Sequence, residues 1–345
     1  MTDSCENEHE KEEPMERDRV GKRRFQVSVL VFLVILISAF AVQGAADWKP
    51  TKPIEFVAPF APGGGSDVLA RSIASIIEGE KLCPVPLLVA NKAGGSGLVG
   101  TTAVAQQKGD THVLVTYIPG QAQAALVAGK GAATYRDLTM ICNLALDEQL
   151  IVVKADSPFK TIKDIIAEAK KRPGELTVGG TGSGQDDHIC QRKWEKSAGI
   201  RLRYVPFKSG GECITSLLGG HVNIIWANPP EFVPQWEAKM VRPVAVARAT
   251  RMPDFPDVPT LKEIGHDVTY YFYRGIGAAS GIPAEVAAFY ENMFKRMAES
   301  SAWKEKYIKK YMLSPNWMGS KEFAKVVAQN EEESKEILKD LGLLK

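Results

Sequence analysis

Residues 54–77 read IEFVAPFAPGGGSDVLARSIASII. The first seven, Ile54–Phe60, are mostly apolar and predict a β-strand. A glycine-rich loop, Ala61–Asp67, follows, and apolar side chains then recur at the spacing of an α-helix. The stretch therefore predicts a strand, a turn and a helix, which is the repeating unit of α/β proteins.

The same unit recurs along the chain. Further strands are predicted at Leu87–Ala90, Val113–Tyr117, Ile151–Lys154, Leu176–Gly179, Leu202–Phe207 and Val222–Trp226. Helices are predicted between them and after Pro283, ending in the amphipathic run Phe323–Leu341. Because strands alternate with helices, we expect parallel sheets.

Two proline-containing breaks interrupt this alternation, at Asp147–Phe159 and at Arg248–Pro259. A boundary at each predicts that residues 47–149 plus 251–345 form one lobe and that residues 150–250 form the other. A chain that crosses twice between lobes has the two linkers that a hinged, closing protein needs. Discontinuous domains also occur in enzymes, so the division alone does not decide the function.

Residues 1–46 have the composition of a targeting segment. Basic residues between Arg17 and Arg24 precede an apolar run, Phe25–Val42, and the small residues Gly44–Ala46 follow. This order predicts a secretory signal, cleaved between Gly44 and Asp47, and a periplasmic protein. An uncleaved membrane anchor is the alternative, because about 18 apolar residues is close to the shortest length that spans a bilayer.

Composition excludes several function classes. The 345 residues are 45% hydrophobic with a formal net charge of +2, which gives no reason to expect a nucleic-acid partner. No phosphate-binding loop, dinucleotide fingerprint or GxSxG nucleophile motif is present, so we expect no cofactor. The length suits two modest domains, and we expect a monomer.

Four cysteines lie beyond the leader, at Cys83, Cys142, Cys190 and Cys213. None has CxxC spacing, so we expect no zinc site. In an oxidising compartment a disulfide is possible, and Cys190–Cys213 is the preferred pair because both lie near the starts of successive predicted helices. Buried free thiols are the alternative.

Three glycine-rich loops each follow a strand and open a helix, at residues 61–67, 181–187 and 208–212. Glycine lets backbone N–H groups turn toward a ligand, and a helix N-terminus carries free donors and positive partial charge. Such loops around one cleft predict an anion site. The alternative is ordinary turn chemistry, with Ser66 and Asp186 as helix caps.

Two further features are candidates for the site. Arg274 follows the aromatic run Tyr270–Tyr273. Its guanidinium could bind a carboxylate through two parallel N–H···O hydrogen bonds, or it could form a surface or interlobe salt bridge. His188 follows two acidic residues, which suggests a catalytic dyad. Acids at a helix start are more often first-turn charges.

The chain resembles the extracytoplasmic receptors of tripartite tricarboxylate transporters, also called Bug proteins. The segments that carry the resemblance are Pro53–Asp67, Asn91–Gly97, Val205–Gly211, Leu217–Asn223 and Pro256–Thr260. The resemblance implies an α/β, type II periplasmic-binding-protein-like fold, with two α/β lobes and a ligand cleft at a double-crossover hinge. The matching ligand-binding residues are Phe60, Pro62, Gly63, Gly64, Ser66, Asp67, Tyr117, Gly120, Gln121, Thr181, Gly182, Ser183, Gly184, Asp186, Asn228, Tyr273 and Arg274.

The chain departs from the family at Ala227, where many members have aspartate, and at Tyr273-Arg274, which often reads Trp-Phe. These changes remove an acid and add a base, which favours a ligand with more than one carboxylate. The resemblance implies a non-enzymatic receptor that captures a small organic acid and passes it to membrane permease subunits. A receptor that feeds a sensor kinase, or a transferase-like enzyme on the same fold, are the alternatives.

Overall fold

The computed structural model of the protein describes residues 48–344, so the predicted leader lies outside the described residues. The strands of the first sheet are β1 (Ile54–Ala58), β2 (Leu87–Asn91), β3 (Val113–Tyr117), β4 (Leu138–Asp147), β10 (Phe272–Ala279) and β11 (Ser314–Gly319). Those of the second sheet are β5 (Leu150–Lys154), β6 (Thr177–Thr181), β7 (Arg203–Phe207), β8 (Ile224–Ala227) and β9 (Val241–Val246). The spatial orders are β11-β4-β10-β3-β1-β2 and β7-β6-β8-β5-β9.

The helices of the described region cover these sheets. They are α1 (Gly65–Gly79), α2 (Leu98–Ala105), α3 (Pro119–Ala128), α4 (Ile162–Lys171), α5 (Asp186–Ala198), α6 (Gly210–Leu218), α7 (Pro229–Glu237), α8 (Ala284–Glu299), α9 (Ser301–Trp303) and α10 (Ser320–Asp340). In α1 the predicted apolar stripe, including Leu69, Ile73 and Ile77, is buried. The spacing of these residues therefore fixes which face of the helix packs on the sheet.

Both sheets are mixed, so the expectation of purely parallel sheets is wrong. Strands β1, β2 and β3 are parallel, as are β6, β7 and β8. Strand β10 runs antiparallel to β3 and β4, and β5 runs antiparallel to β8 and β9.

The chain passes between the sheets at residues 148–149 and again at residues 247–271. Residues 54–147 and 272–319 supply the first sheet, and residues 150–246 supply the second. In the second passage, Met252, Phe255 and Val258 pack into an apolar cluster of the second sheet. The lobe boundaries at residues 149–150 and 250–251 stay a prediction.

The preferred disulfide, Cys190–Cys213, is not formed, and Cys83, Cys142, Cys190 and Cys213 are all free thiols. Cys190 on α5 packs in one apolar cluster and Cys213 on α6 in another. These clusters contain alternate residues of β5 and therefore cover opposite faces of the second sheet. The sheet itself separates the two sulfur atoms.

Residues 48–344 contain no helix that is long and apolar enough to cross a membrane.

Candidate functional site

The loop after β1 is held in shape by Asp67. Its carboxylate accepts hydrogen bonds from the backbone N–H of Gly63 (2.9 Å), from Nε of Arg71 (2.9 Å) and from Nδ2 of Asn91 (2.8 Å). Burial raises the pKa of Asp67, but the bonds from Arg71, Gly63 and Asn91 outweigh it, so the pKa lies below its usual value. Asp67 therefore positions the loop, and Gly63 adopts a left-handed φ of 78° within it.

Ser66 does not cap α1, which corrects the sequence-based alternative. The N-cap is Gly64, and Ser66 lies in the first turn with only 2% of its surface exposed. No described group forms a hydrogen bond with Ser66 Oγ. The hydroxyl and the backbone N–H groups of this first turn are therefore donors without protein acceptors.

Arg274 lies against the same helix start. A Cβ atom on Gly65 would be 2.9 Å from Nη1 of Arg274, so only glycine allows the guanidinium to approach the backbone here. Arg274 pairs with the buried carboxylate of Asp147 and lies 4.7 Å from the ring centre of Phe272. Both partners belong to the first sheet, so the ion pair is buried within one sheet and is not a surface or interlobe bridge. Nε of Arg274 has no hydrogen-bond partner among the described residues.

Tyr117 and Tyr273 are brought together, but not with Arg274. Their rings stack with centres 6.3 Å apart, and Tyr273 also meets Phe323 at 5.2 Å in a core cluster of the first sheet. Successive residues of a strand point to opposite faces, which is why Tyr273 and Arg274 separate.

The predicted ligand-binding residues Gly120 and Gln121 lie in the first turn of helix α3. Gln121 accepts a hydrogen bond from the backbone N–H of Ile118 (2.9 Å) and donates one to Thr101 Oγ1 (2.7 Å). A Cβ atom on Gly97 would be 2.7 Å from Gln121 and 3.0 Å from the ring of Phe60. Gln121 and Phe60 thus close around the Gly95–Gly97 turn, and Pro62 lies exposed beyond them.

The loop after β6 uses much of its own hydrogen-bonding capacity. Asp187 accepts bonds from the N–H and the hydroxyl of Thr181, at 2.6 and 2.9 Å. The N–H of Gly182 donates to the carbonyl of Phe207 (2.9 Å), and that of Gly184 donates to Nδ1 of His188 (3.1 Å). Ser183, between the two glycines, is exposed.

His188 supports this loop. Its ring stacks on Tyr204 with centres 4.0 Å apart, and burial together with Arg192 lowers its pKa to about 4. The neutral ring is therefore the acceptor that holds Gly184. The cap of α5 is Gln185, so the alternative that Asp186 caps this helix is wrong.

Loops from the two sheets touch each other at two places. Nε2 of Gln185 donates to Oγ of Ser96 at 2.6 Å. Asp186 Oδ1 accepts from Nε2 of Gln123 (3.1 Å) and from the hydroxyl of Tyr270 (2.5 Å). Gln123 belongs to α3, so Asp186 joins a helix start beside the second sheet to a helix beside the first.

Buried carboxyl groups surround this junction. Burial raises the pKa of Asp186 to about 6 and that of Asp187 to about 7, and the charge of Asp186 adds to the second shift. Glu231 lies against the backbone of Gly210, and burial raises its pKa to about 8. Asn228 connects Glu231 to residues 148–149, where the chain passes between the sheets. Its N–H donates to Glu231 Oε2 (3.0 Å) and its Nδ2 donates to the carbonyl of Glu148 (3.0 Å).

Sequence patterns did not identify Gln123, Asp147, Asp187, Tyr270 or Glu231 as parts of the site. Asp187 was treated as a first-turn charge, and Asp147 as part of a linker. The others lie far along the chain from their partners, so no local spacing marks them. Among residues 48–344 no group of His, Cys, Asp and Glu side chains is arranged to hold a metal ion.

Comparison with known proteins identifies the family of the chain. The chain matches the family described as "Tripartite tricarboxylate transporter family receptor" over residues 69–343. It is 29% identical to a UPF0065 protein from the gbd 5' region of Cupriavidus necator, over 90% of this chain and 93% of that one. It is 27% identical to protein BugT of Bordetella pertussis, over 69% and 73% of the two chains.

Among solved structures, the chain is similar to an R. palustris protein with adipate. The TM-score is 0.74 and the identity 25%, over 86% of this chain and 99% of that one. It is also similar to the structure of periplasmic binding protein BugD, with a TM-score of 0.72 and 25% identity over 86% of this chain and 99% of that one. The predicted type II periplasmic-binding fold with two α/β lobes is thereby confirmed, and so is the resemblance to Bug proteins. With its family match spanning most of the described region, the chain belongs to the tripartite tricarboxylate transporter receptor family.

Proposed function

We propose that the protein is an extracytoplasmic solute receptor, which captures a small organic acid and delivers it to the membrane permease subunits of a tripartite tricarboxylate-type transporter. One observation supports the acid most directly. Ser66 Oγ and Arg274 Nε are buried donors without protein acceptors; Ser66 lies in the first turn of α1, and the Nη1 end of the Arg274 guanidinium lies against Gly65 of the same turn. A ligand carboxylate would supply the acceptor that both groups lack.

The physical argument concerns the cost of buried polar groups. A buried donor without an acceptor costs about 1–3 kcal/mol, and a charged donor costs more. An anion at a helix N-terminus is also stabilised by the free N–H groups and by the helix dipole. Ser66, Arg274 and the first turn of α1 therefore favour the same kind of ligand group.

The relatives agree with an acid ligand. The R. palustris protein of similar fold has adipate, which is a dicarboxylate. The composition of the leader, basic and then apolar, supports a location outside the cytoplasmic membrane. Membership of the receptor family supports delivery to permease subunits.

The test uses Ser66→Ala in the mature chain, from Asp47. Since no protein group uses the hydroxyl, the free energy of unfolding of the ligand-free variant should stay the same or rise, whereas affinity for a bound carboxylate should fall about fivefold to tenfold. Ser334→Ala is the matched control, because Ser334 is 1% exposed, also has an unpartnered hydroxyl, and lies in α10. Calorimetric titration of both variants checks this. Equal affinity in the two variants would remove Ser66 from the site.

A further inference from the structure

Ser66 and Arg274 form one pole of the candidate site, and the second pole, around Asp186, is acidic. Asp186 Oδ2 lies 3.4 Å from where a Cβ of Gly120 would be, while Oδ1 receives Gln123 and Tyr270. The carboxylate is 6% exposed and lies between the start of α5 and the start of α3. It is therefore placed where both lobes can contact one ligand.

An unused acceptor lies beside this carboxylate. Gln123 has no exposed surface, and its Nε2 donates to Asp186 and to the hydroxyl of Tyr270 (2.7 Å). Its Oε1 has no partner among the described residues. Reversing the amide would put Oε1 against the Asp186 carboxylate, so the present orientation is the favourable one. A donor is missing here, whereas an acceptor is missing at Ser66.

The charges around this pole are unbalanced. Asp186 and Asp187 are buried, Glu231 is partly buried near them, and the nearby cation Arg274 is already paired with Asp147. Burial raises the pKa values of Asp186 and Asp187, and the charge of Arg274, which lowers the pKa of Asp186, does not offset the effect of burial. A second ligand carboxylate at this position would meet like charge at low dielectric, whereas a cation would meet opposite charge.

We propose that the ligand carries an ammonium group, held by Asp186 and Gln123 Oε1, in addition to the carboxylate held by Ser66 and Arg274. The substrate class is thus an amino acid or another small aminocarboxylate. This inference rests on the proposed function, because it assigns the second group of a ligand in that same site. At this pole of the site it puts an ammonium group in place of the second carboxylate that Ala227 and Arg274 led us to expect.

Matched pairs of ligands test the proposal on the wild-type mature chain. The pairs are butanoate with 2-aminobutanoate, succinate with aspartate, and glutarate with glutamate, measured by calorimetric titration. In at least one pair the amino member should bind about tenfold tighter or more, as for a charge-assisted hydrogen bond. Equal or weaker binding of the amino members, while the plain acids bind, would overturn this inference and leave the proposed function standing. Binding by none of the six would count against both.

Variants identify the acid responsible. Asp186→Asn should abolish the preference for the amino member while plain-acid binding persists. Asp164→Asn is the control, because the Asp164 carboxylate accepts bonds from the N–H groups of Thr161 and Lys160 at the start of α4 and lies outside the site. A preference that survives Asp186→Asn, or that is lost equally in both variants, contradicts the assignment.

Proton exchange gives a readout that needs no variant. An ammonium group beside Asp186 and Asp187 lowers their pKa values, so binding between pH 6 and pH 7 should release protons. A dicarboxylate at the same place would raise these values, and that of Glu231, and take protons up. Titrations in buffers of different ionisation enthalpy distinguish the two signs. Proton uptake with the amino members would overturn the proposal.

Discussion

At the scale of single residues, the site depends on which polar groups the protein leaves without partners. Ser66 and Arg274 were predicted from the loop pattern and the family resemblance, but their unpartnered donors became visible only with the fold. Gln123 and Asp186 are 63 residues apart in the chain, so their bond could not be inferred from local spacing. Asp67 is a predicted ligand-binding residue, yet its carboxylate accepts hydrogen bonds from Gly63, Arg71 and Asn91 around the loop.

Asp187 should make the stability depend on pH. Burial raises its pKa from 3.8 to about 7, so the folded state holds a proton that the unfolded state has lost. The free energy of unfolding should therefore decrease as the pH rises from 5 to 8. Asp187→Asn cannot ionise, so the variant should lose less stability over this interval. Urea denaturation at the two pH values measures the difference.

Asp164→Asn provides the control. Asp164 accepts hydrogen bonds from the N–H groups of Thr161 and Lys160, and these bonds hold its pKa below 3.8. Its contribution is complete above its unfolded pKa, so its removal should cost the same at pH 5 and pH 8. A similar pH response of the two variants would contradict the assignment to Asp187.

At the scale of helices and strands, prediction succeeded where the pattern was local. The strand–loop–helix units around β1, β6 and β7 follow from periodicity and glycine position. Strands β4, β9, β10 and β11 are not among the predicted strands. The bounds of helix α3 are not predicted, although Pro119 at its first position is a common helix start.

Helix α10 connects the two halves of the fold. Phe323 packs in a core cluster of the first sheet, and Leu338 packs in one of the second. Ion pairs join Glu333 to Lys193 (2.9 Å) and Asp340 to Arg192 (2.6 Å), both on α5. The residues after α10 then contact the Thr181–Gly184 loop, where a Cβ of Gly184 would be 2.8 Å from Leu343.

Leu343→Ala should therefore loosen the Thr181–Gly184 loop. The lost packing should cost about 1 kcal/mol of stability, because Leu343 is only partly buried. Faster hydrogen exchange of residues 181–185, with the first sheet unchanged, is the expected result. Leu88→Ala is the control, since Leu88 is 56% exposed on the first sheet. Unaltered exchange in the loop would show that the C-terminal segment does not support it.

At the scale of the whole molecule, the fold and the family are those predicted from the sequence, but neither of them alone identifies the ligand. The Gly-rich loops predicted an anion site, and the buried donors at α1 support one carboxylate. The acids at α5 and α7 argue against a second carboxylate, although composition gave no sign of them because the net charge is only +2. Charge is thus separated within the site while the chain as a whole is nearly balanced.

The most direct test of the central claim is a thermal-shift titration of the mature chain with small acids and their neutral amides. A ligand that binds only the folded state raises the unfolding midpoint as its concentration increases. We expect one or more carboxylates, the amino acids above included, to raise the midpoint, and the corresponding amides to leave it unchanged. A shift with the amides as large as with the acids, or no shift with any acid, would contradict the account.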